Sequence, residues 1–434
     1  MPFTFLGKET QILHIMRNLL YVFVLSYVLS GCDSIPSYDP ERSYKSIEKA
    51  LSAKFILAED SSVIELDEGH YIFKNSLILE GKKNITIRGK GIDKTVLSFK
   101  IQESGAEGLR IANCTNIVLE NFTIEDAAGD NIKVTDTDGI SFKHIKSAWT
   151  GPVTKENGAY GLYPVLCKNV MVENCEVMGA SDAGIYVGQS ENVSIKNNIV
   201  YRNVAGIESE NSENVIIEGN EAYENTGGIL IFDLPGLTRN GRNIKAFSNN
   251  VHDNNLENFA PKGNIVGVVP PGTGFLILAT RDVEIYNNTI KDNKTISAGI
   301  VSYELVASMR GESSNAENQM TGAQGVNQNY KEDEKYDPYP GNISIHNNQI
   351  SDSHLIPDLG NEFGKLFLFK FGLSTPDIAW DGIKSPDFEE KDGSTNPQYK
   401  ICIDEAEGIK VANLDAANDF ENLSTDPEEF RCDI

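Results

Sequence analysis

An all-β fold is predicted for this chain: a parallel β-helix, a single-stranded solenoid of three short strands per turn, each turn about 22 residues long. Three observations predict it. Asn116, Gly139, Asn169, Asn192, Asn214, Asn243 and Asp282 each precede Val or Ile, and the cleanest copies start 22 residues apart, at Asn192 and Asn214. The apolar residues are Ile and Val rather than the Leu of a leucine-rich repeat. Within one copy, Val193 and Ile195 alternate with Ser194 and Lys196, Ile199 follows a bend, and Ile207 and Ser209 alternate with Glu208 and Glu210. Period-two alternation points Val193, Ile195, Ile207 and Ser209 inward.

Asparagine supplies an independent register. Six residues into successive turns stand Asn198, Asn220, Asn249, Asn288 and Asn348, with Cys175 in the same slot one turn earlier. Five residues further on stand Asn203, Asn225, Asn254 and Asn293. Stacked amides at two corners can satisfy backbone groups where the sheet ladder is interrupted. A turn this short cannot bury its own apolar face, so residues 61–355 read as one stacked body. Residues 32–60 read as a linker and N-terminal cap, 356–434 as a C-terminal cap, and 304–341, rich in Ser, Asn, Gln and Gly, as a mobile flap with little secondary structure. In the tail, Leu366, Phe367, Leu368 and Phe369 are expected to cover the last turn.

The chain has 434 residues and a formal charge of −25. Such a charge argues against nucleic acid as a partner. At the N-terminus, Arg17 precedes the apolar run Leu19–Leu29 and then Leu29-Ser30-Gly31-Cys32. The run is too short for a membrane span. It resembles a bacterial lipoprotein signal, which implies removal of residues 1–31, lipidation of Cys32 and a membrane-anchored protein of the cell envelope. In that oxidising setting Cys402 and Cys432 are expected to pair in the tail. Cys114 and Cys167 lie two layers apart, beyond disulfide reach, and should be free and packed like Cys175. No Cys/His spacing supports zinc or haem, and no nucleotide motif is present.

Aligning the turns stacks the third strands. Ile132, Leu162, Ile185, Ile207, Ile229 and Phe275 fall inward. The outward column reads Lys133, Tyr163, Tyr186, Glu208, Leu230 and Leu276, and two residues along Thr135, Val165, Gly188, Glu210, Phe232 and Leu278. Insertions 147–157 and 255–272 precede third strands, whereas 234–242 and 304–341 follow them. Two walls around an aromatic and acidic groove are therefore expected, suited to sugar rings. The candidate catalytic residues are Tyr163 and Tyr186 for proton transfer, Lys133 for a sugar carboxylate and Glu208 as hydrogen-bonding or metal partner. Trp149, Tyr160, Asp182, Glu210, Phe232 and Asp233 are the candidate substrate contacts.

Residues 60–355 resemble the right-handed parallel β-helix of the pectin-lyase-like superfamily, on segments such as AYGLYPV, SDAGIYVGQS, NVAGIE and NTGGILIFDLPGL. The same segments resemble a family of exported β-helix repeat proteins of unassigned activity. The order YG, two residues, Pro, then GIYV and GIES also resembles the mannuronan epimerases. Those enzymes carry an Asp before that Pro and a His after it, where this chain has Tyr163 and Val165. Two readings stay open: a lyase- or epimerase-like enzyme, or a non-catalytic module holding a glycan, a metal or a protein. A monomer is expected. Calcium is left open as a cofactor, and no metal-ligand set is assigned.

Overall fold

The computed structural model describes residues 44–310 and 330–432. Its strands form two long parallel sheets: 19 strands from the first two legs of each turn and 11 from the third legs. Each strand pairs with its counterpart one turn later. Ile85, Ile117, Ile140, Val170, Val193, Val215, Ile244, Val283 and Ile343 follow one another in register along the first leg. Their side chains fill one continuous core with the inward residues of the other legs.

Backbone conformation explains the asparagines at the turn starts. Asn116, Asn169, Asn192, Asn214 and Asn243 have φ between 53° and 59°, in the left-handed region, where a short polar side chain costs least. Gly139 takes the same place with φ 83°. The two inner columns are amide ladders. Asn198 donates to Asn220 (2.9 Å), Asn220 to Asn249 (3.0 Å), Asn249 to Asn288 (2.9 Å) and Asn288 to Asn348 (2.9 Å). The second ladder runs from Asn203 through Asn225 and Asn254 to Asn293. Each amide oxygen also accepts the backbone N–H of the turn before, so the corner donors are satisfied.

Both ends are covered. Helix α1 (Tyr44–Leu57) lays Ile47, Leu51 and Phe55, spaced four residues apart, against the first layers. The tail does more than cap: Ile378–Trp380, Ile401–Asp404 and Val411–Asn413 add parallel strands to both sheets. Short strands without Asn-Val starts hide this continuation from the repeat. The apolar run of the tail is helical, in α3 (Glu362–Phe371; α2 is Tyr303–Met309), so it does not bury Leu366 to Phe369 together. Phe367 is 3% exposed, packed between Phe363 and Phe371, whereas Phe369 on the opposite face is 84% exposed. A disulfide joins Cys402 to Cys432, and Cys114, Cys167 and Cys175 are free and buried.

The expected structureless flap is also corrected in part. Its first residues form α2, capped by the Ser302 hydroxyl accepting from Leu305 N–H, with Tyr303, Leu305, Val306 and Ala307 buried. Residues 311–329 lie outside the described residues, as do the signal segment and Cys32. Among the described residues no helix is long and apolar enough to cross a membrane.

A buried tyrosine and carboxyl cluster as candidate functional site

The outward register follows the repeat: Arg110, Lys133 and Tyr163 face one another across successive strands, and Tyr186, Glu208, Leu230 and Leu276 continue the line. One expectation fails. The face is not an open groove, because every residue of Tyr160–Val165, Ala183–Gly188, Ala205–Glu210 and Gly227–Phe232 is buried. The insertions fold down onto the floor. Val266, Val269, Val306 and Tyr336 pack on Leu230, Phe232, Leu276 and Leu278 as a second apolar core. Loops carrying such residues have to cover apolar surface, a signal in the sequence of 255–272 that strand register alone does not weigh.

Beneath this cover Tyr160, Tyr163, Tyr186, Asp182, Glu208 and Glu210 come together. The rings of Tyr160 and Tyr163 lie 4.3 Å apart and Tyr163 meets Tyr186 edge-on at 4.9 Å. The Tyr186 hydroxyl donates to Glu210 at 2.5 Å, reaching one layer on. Gly188 makes this reach feasible: a Cβ there would stand 2.3 Å from the Tyr186 hydroxyl oxygen. The Asn264 amide, from the covering insertion, donates to Asp182 at 2.8 Å. Asn264 had no repeat position to mark it. Glu208, 1% exposed, has one carboxyl oxygen with no partner at all.

Burial dominates the electrostatics. It pushes Glu210 up to about 8 and Asp182 to about 7, against the opposing hydrogen bonds from Tyr186 and Asn264. Glu208 is held well above the carboxylate range by burial and by the neighbouring Asp182 and Glu210. Burial, with Asp130 and Glu210 at Tyr163 and with Glu210 at Tyr186, pushes both tyrosines above their ordinary range. A tyrosinate is therefore opposed here, and the Tyr163 and Tyr186 hydroxyls are held in their protonated form. Glu210 and Asp182 are the groups brought near neutrality.

The remaining candidates lie outside this cluster. Lys133, three layers and ~14 Å from Glu208, stands 4.8 Å over the Tyr163 ring and pairs loosely with Glu107 (3.8 Å) and Asp130 (3.7 Å). Trp149 is 4% exposed and donates its indole N–H to the Ala127 carbonyl at 2.9 Å, so its face is spent on packing. Asp233 braces its own turn, accepting from Gly241 N–H (2.8 Å) and the Asn240 amide (3.2 Å), while Phe232 belongs to the covering core. The carboxyl oxygens of Asp182, Glu208 and Glu210 do not converge within 4.8 Å of one another to share an ion. Among the described residues Asp292, Asp352 and His354 do converge, but as a surface turn in which both carboxylates accept backbone N–H groups.

Comparison with known proteins agrees with this fold. Residues 83–236 match the right-handed β-helix region family. The chain is a right-handed parallel β-helix protein. This β-helix superposes on the A-module of mannuronan C-5 epimerase AlgE4 from Azotobacter vinelandii with a TM-score of 0.51 and 15% identity, over 86% of this chain and 93% of that one. The A-module of the AlgE6 mannuronan C-5 epimerase from the same organism gives 0.52 and 14% identity, over 88% and 93%. At these identities the likeness is one of fold. No curated protein matches this β-helix in sequence.

Proposed function

We propose that this protein is a cell-envelope lipoprotein, anchored through Cys32, that binds a polysaccharide on its third-strand face and modifies it there. One observation carries the reading: a Tyr186 hydroxyl 2.5 Å from Glu210, beside a Glu208 carboxyl with an unpartnered oxygen, on the outward side of a β-helix. Nothing in the core requires carboxyl groups on that side, and burying an unsatisfied one costs roughly 1 to 3 kcal/mol. Glu210 and Asp182, pushed up to about 8 and about 7 by burial, can both give and take a proton near neutral pH, as cleavage, elimination or epimerisation at a sugar ring requires. The fold is shared with the two epimerase modules, which adds support at the level of architecture alone.

A second reading has its own observation. Tyr186 is 2% exposed and Glu208 1%, which suits a protein that holds a glycan at the rim of the cluster and leaves it unchanged. Incubating the protein with acidic and neutral polysaccharides, and following unsaturated sugars by ultraviolet absorbance, reducing ends, and epimer content by NMR, separates the two. Under the enzyme reading Glu208→Gln and Glu210→Gln abolish turnover and spare binding. Tyr186→Phe and Gly188→Ala should each lower turnover, because one removes and the other displaces the same hydroxyl. Binding without any product across the panel would leave the non-catalytic reading standing.

A further inference from the structure

The third-strand face is covered at one end and open at the other. Ile78, Arg110 and Lys133 stand on consecutive layers of the outward column. Ile78 is 41% exposed, Arg110 is exposed and Lys133 is partly so. One layer on, exposure falls to 3% at Tyr163, and Tyr160 beside it is at 9%. Beyond the cluster, Leu230, Phe232, Leu276 and Leu278 lie under Leu234, Val266, Val269 and Val306. Expelling side chains of this size from such packing is costly, whereas the approach from Ile78 displaces none of the described residues. A linear ligand lying along the floor therefore has one way in and a wall in front of it.

The open stretch also has a sign. Arg110 makes no ion pair within 4.0 Å among the described residues, in a chain of formal charge −25. Lys133, the next layer along, holds its two carboxylates only at 3.7 and 3.8 Å. Two cations one ~4.8 Å layer apart can meet anionic groups on successive units of an extended chain. Ile78 offers an apolar surface to the ring that follows.

Building on the glycan reading above, we infer that the face recognises the end of an anionic glycan. The terminal sugar seats against Tyr160 and Tyr163, and the chain leaves over Lys133, Arg110 and Ile78. Internal segments are refused because the floor does not continue past the tyrosines. The geometry thus assigns chain-end specificity and an acidic substrate class to a site whose floor shows neither by residue type alone.

Calorimetry with uronate oligosaccharides of defined length, with long polyuronate, and with the carboxyl-reduced forms of the same oligosaccharides tests this. The expected stoichiometry is one protein per chain whatever its length. A bulky fluorophore on one terminus should weaken binding at least tenfold and be tolerated on the other. Carboxyl reduction should cost about tenfold, and Arg110→Gln, an exposed position, should remove most of that difference. Stoichiometry that grows with chain length, or equal tolerance of labels at both ends, overturns end recognition while the glycan reading stands. Unchanged uronate affinity in Arg110→Gln overturns the anionic assignment. Failure of the wild-type protein to bind any of these glycans overturns this inference, whereas the glycan reading falls only if the wider panel of acidic and neutral polysaccharides also fails to bind.

Discussion

Tyr186 shows how much one residue's surroundings decide. Its ring lies across Gly188 to reach Glu210, and that contact sits where burial holds Glu210 at about 8 and Asp182 at about 7. The folded state therefore keeps protons that the unfolded chain has already released above the ordinary carboxyl range. Stability from these groups is fully present below the unfolded pKa and is lost as the pH rises through about 7 and 8. The unfolding free energy, and with it the melting temperature, is expected to fall between mildly acidic and mildly alkaline pH, the free energy by up to about 1.4 kcal/mol per pH unit for each proton released on unfolding. Glu210→Gln keeps an acceptor for Tyr186 and removes one titration, so its thermal melts should vary less with pH; an unchanged slope would mean that Glu210 is not the titrating group. The positions of Tyr163, Tyr186, Glu208 and Glu210 were legible in the sequence because they ride on strand register. Asn264 and the burial of Trp149 were not, since both depend on how insertions without a repeat settle.

At the scale of elements, the amide ladders carry the stacking of one turn on the next. Asn225 accepts the backbone N–H of Asn203 at 3.0 Å and its side-chain amide at 3.0 Å, and donates to Val200 O and to Asn254. Asn225→Ala leaves these buried groups without partners, and at roughly 1 to 3 kcal/mol for each unsatisfied group the variant should lose about 3 kcal/mol or more in urea unfolding. Asn214→Gly at a turn start supplies the contrast. Its φ of 56° suits glycine and its side chain is exposed, so a loss within about 1 kcal/mol is expected. Equal losses at both sites would deny the ladder its role. The ladders were readable because Asn recurs at a fixed offset. Helix α3 was not, since an apolar run of that length fits a strand or a helix until Phe363, Phe367 and Phe371 are seen four apart.

The whole molecule is a stack whose ends must be closed, and here the tail has two tasks. Ile378–Trp380 pairs with Ile296–Val301, and Ile401–Asp404 pairs with Gly341–His346, so the last turns of both sheets meet strands and not solvent. Asn348, the end of the first amide ladder, donates to the Glu405 carboxylate, which stops the column with a charge. Phe367, Ala379, Ala412 and Leu414 form a small core of their own over Ile296. Ending the chain after residue 353 would strip these layers and leave two unpaired parallel edges beside Ile300, Ile343 and Ile345. Exposed edges of this kind recruit other chains. The shortened protein is therefore expected to aggregate on expression even though every Asn-Val repeat is retained, whereas ending the chain after Leu414 keeps the closing strands and should leave a soluble, less stable protein. Size-exclusion chromatography and thermal melts of the two truncations decide it: a monomeric, normally melting product from the shorter chain would show that the repeats alone close the β-helix and that the tail strands serve another purpose.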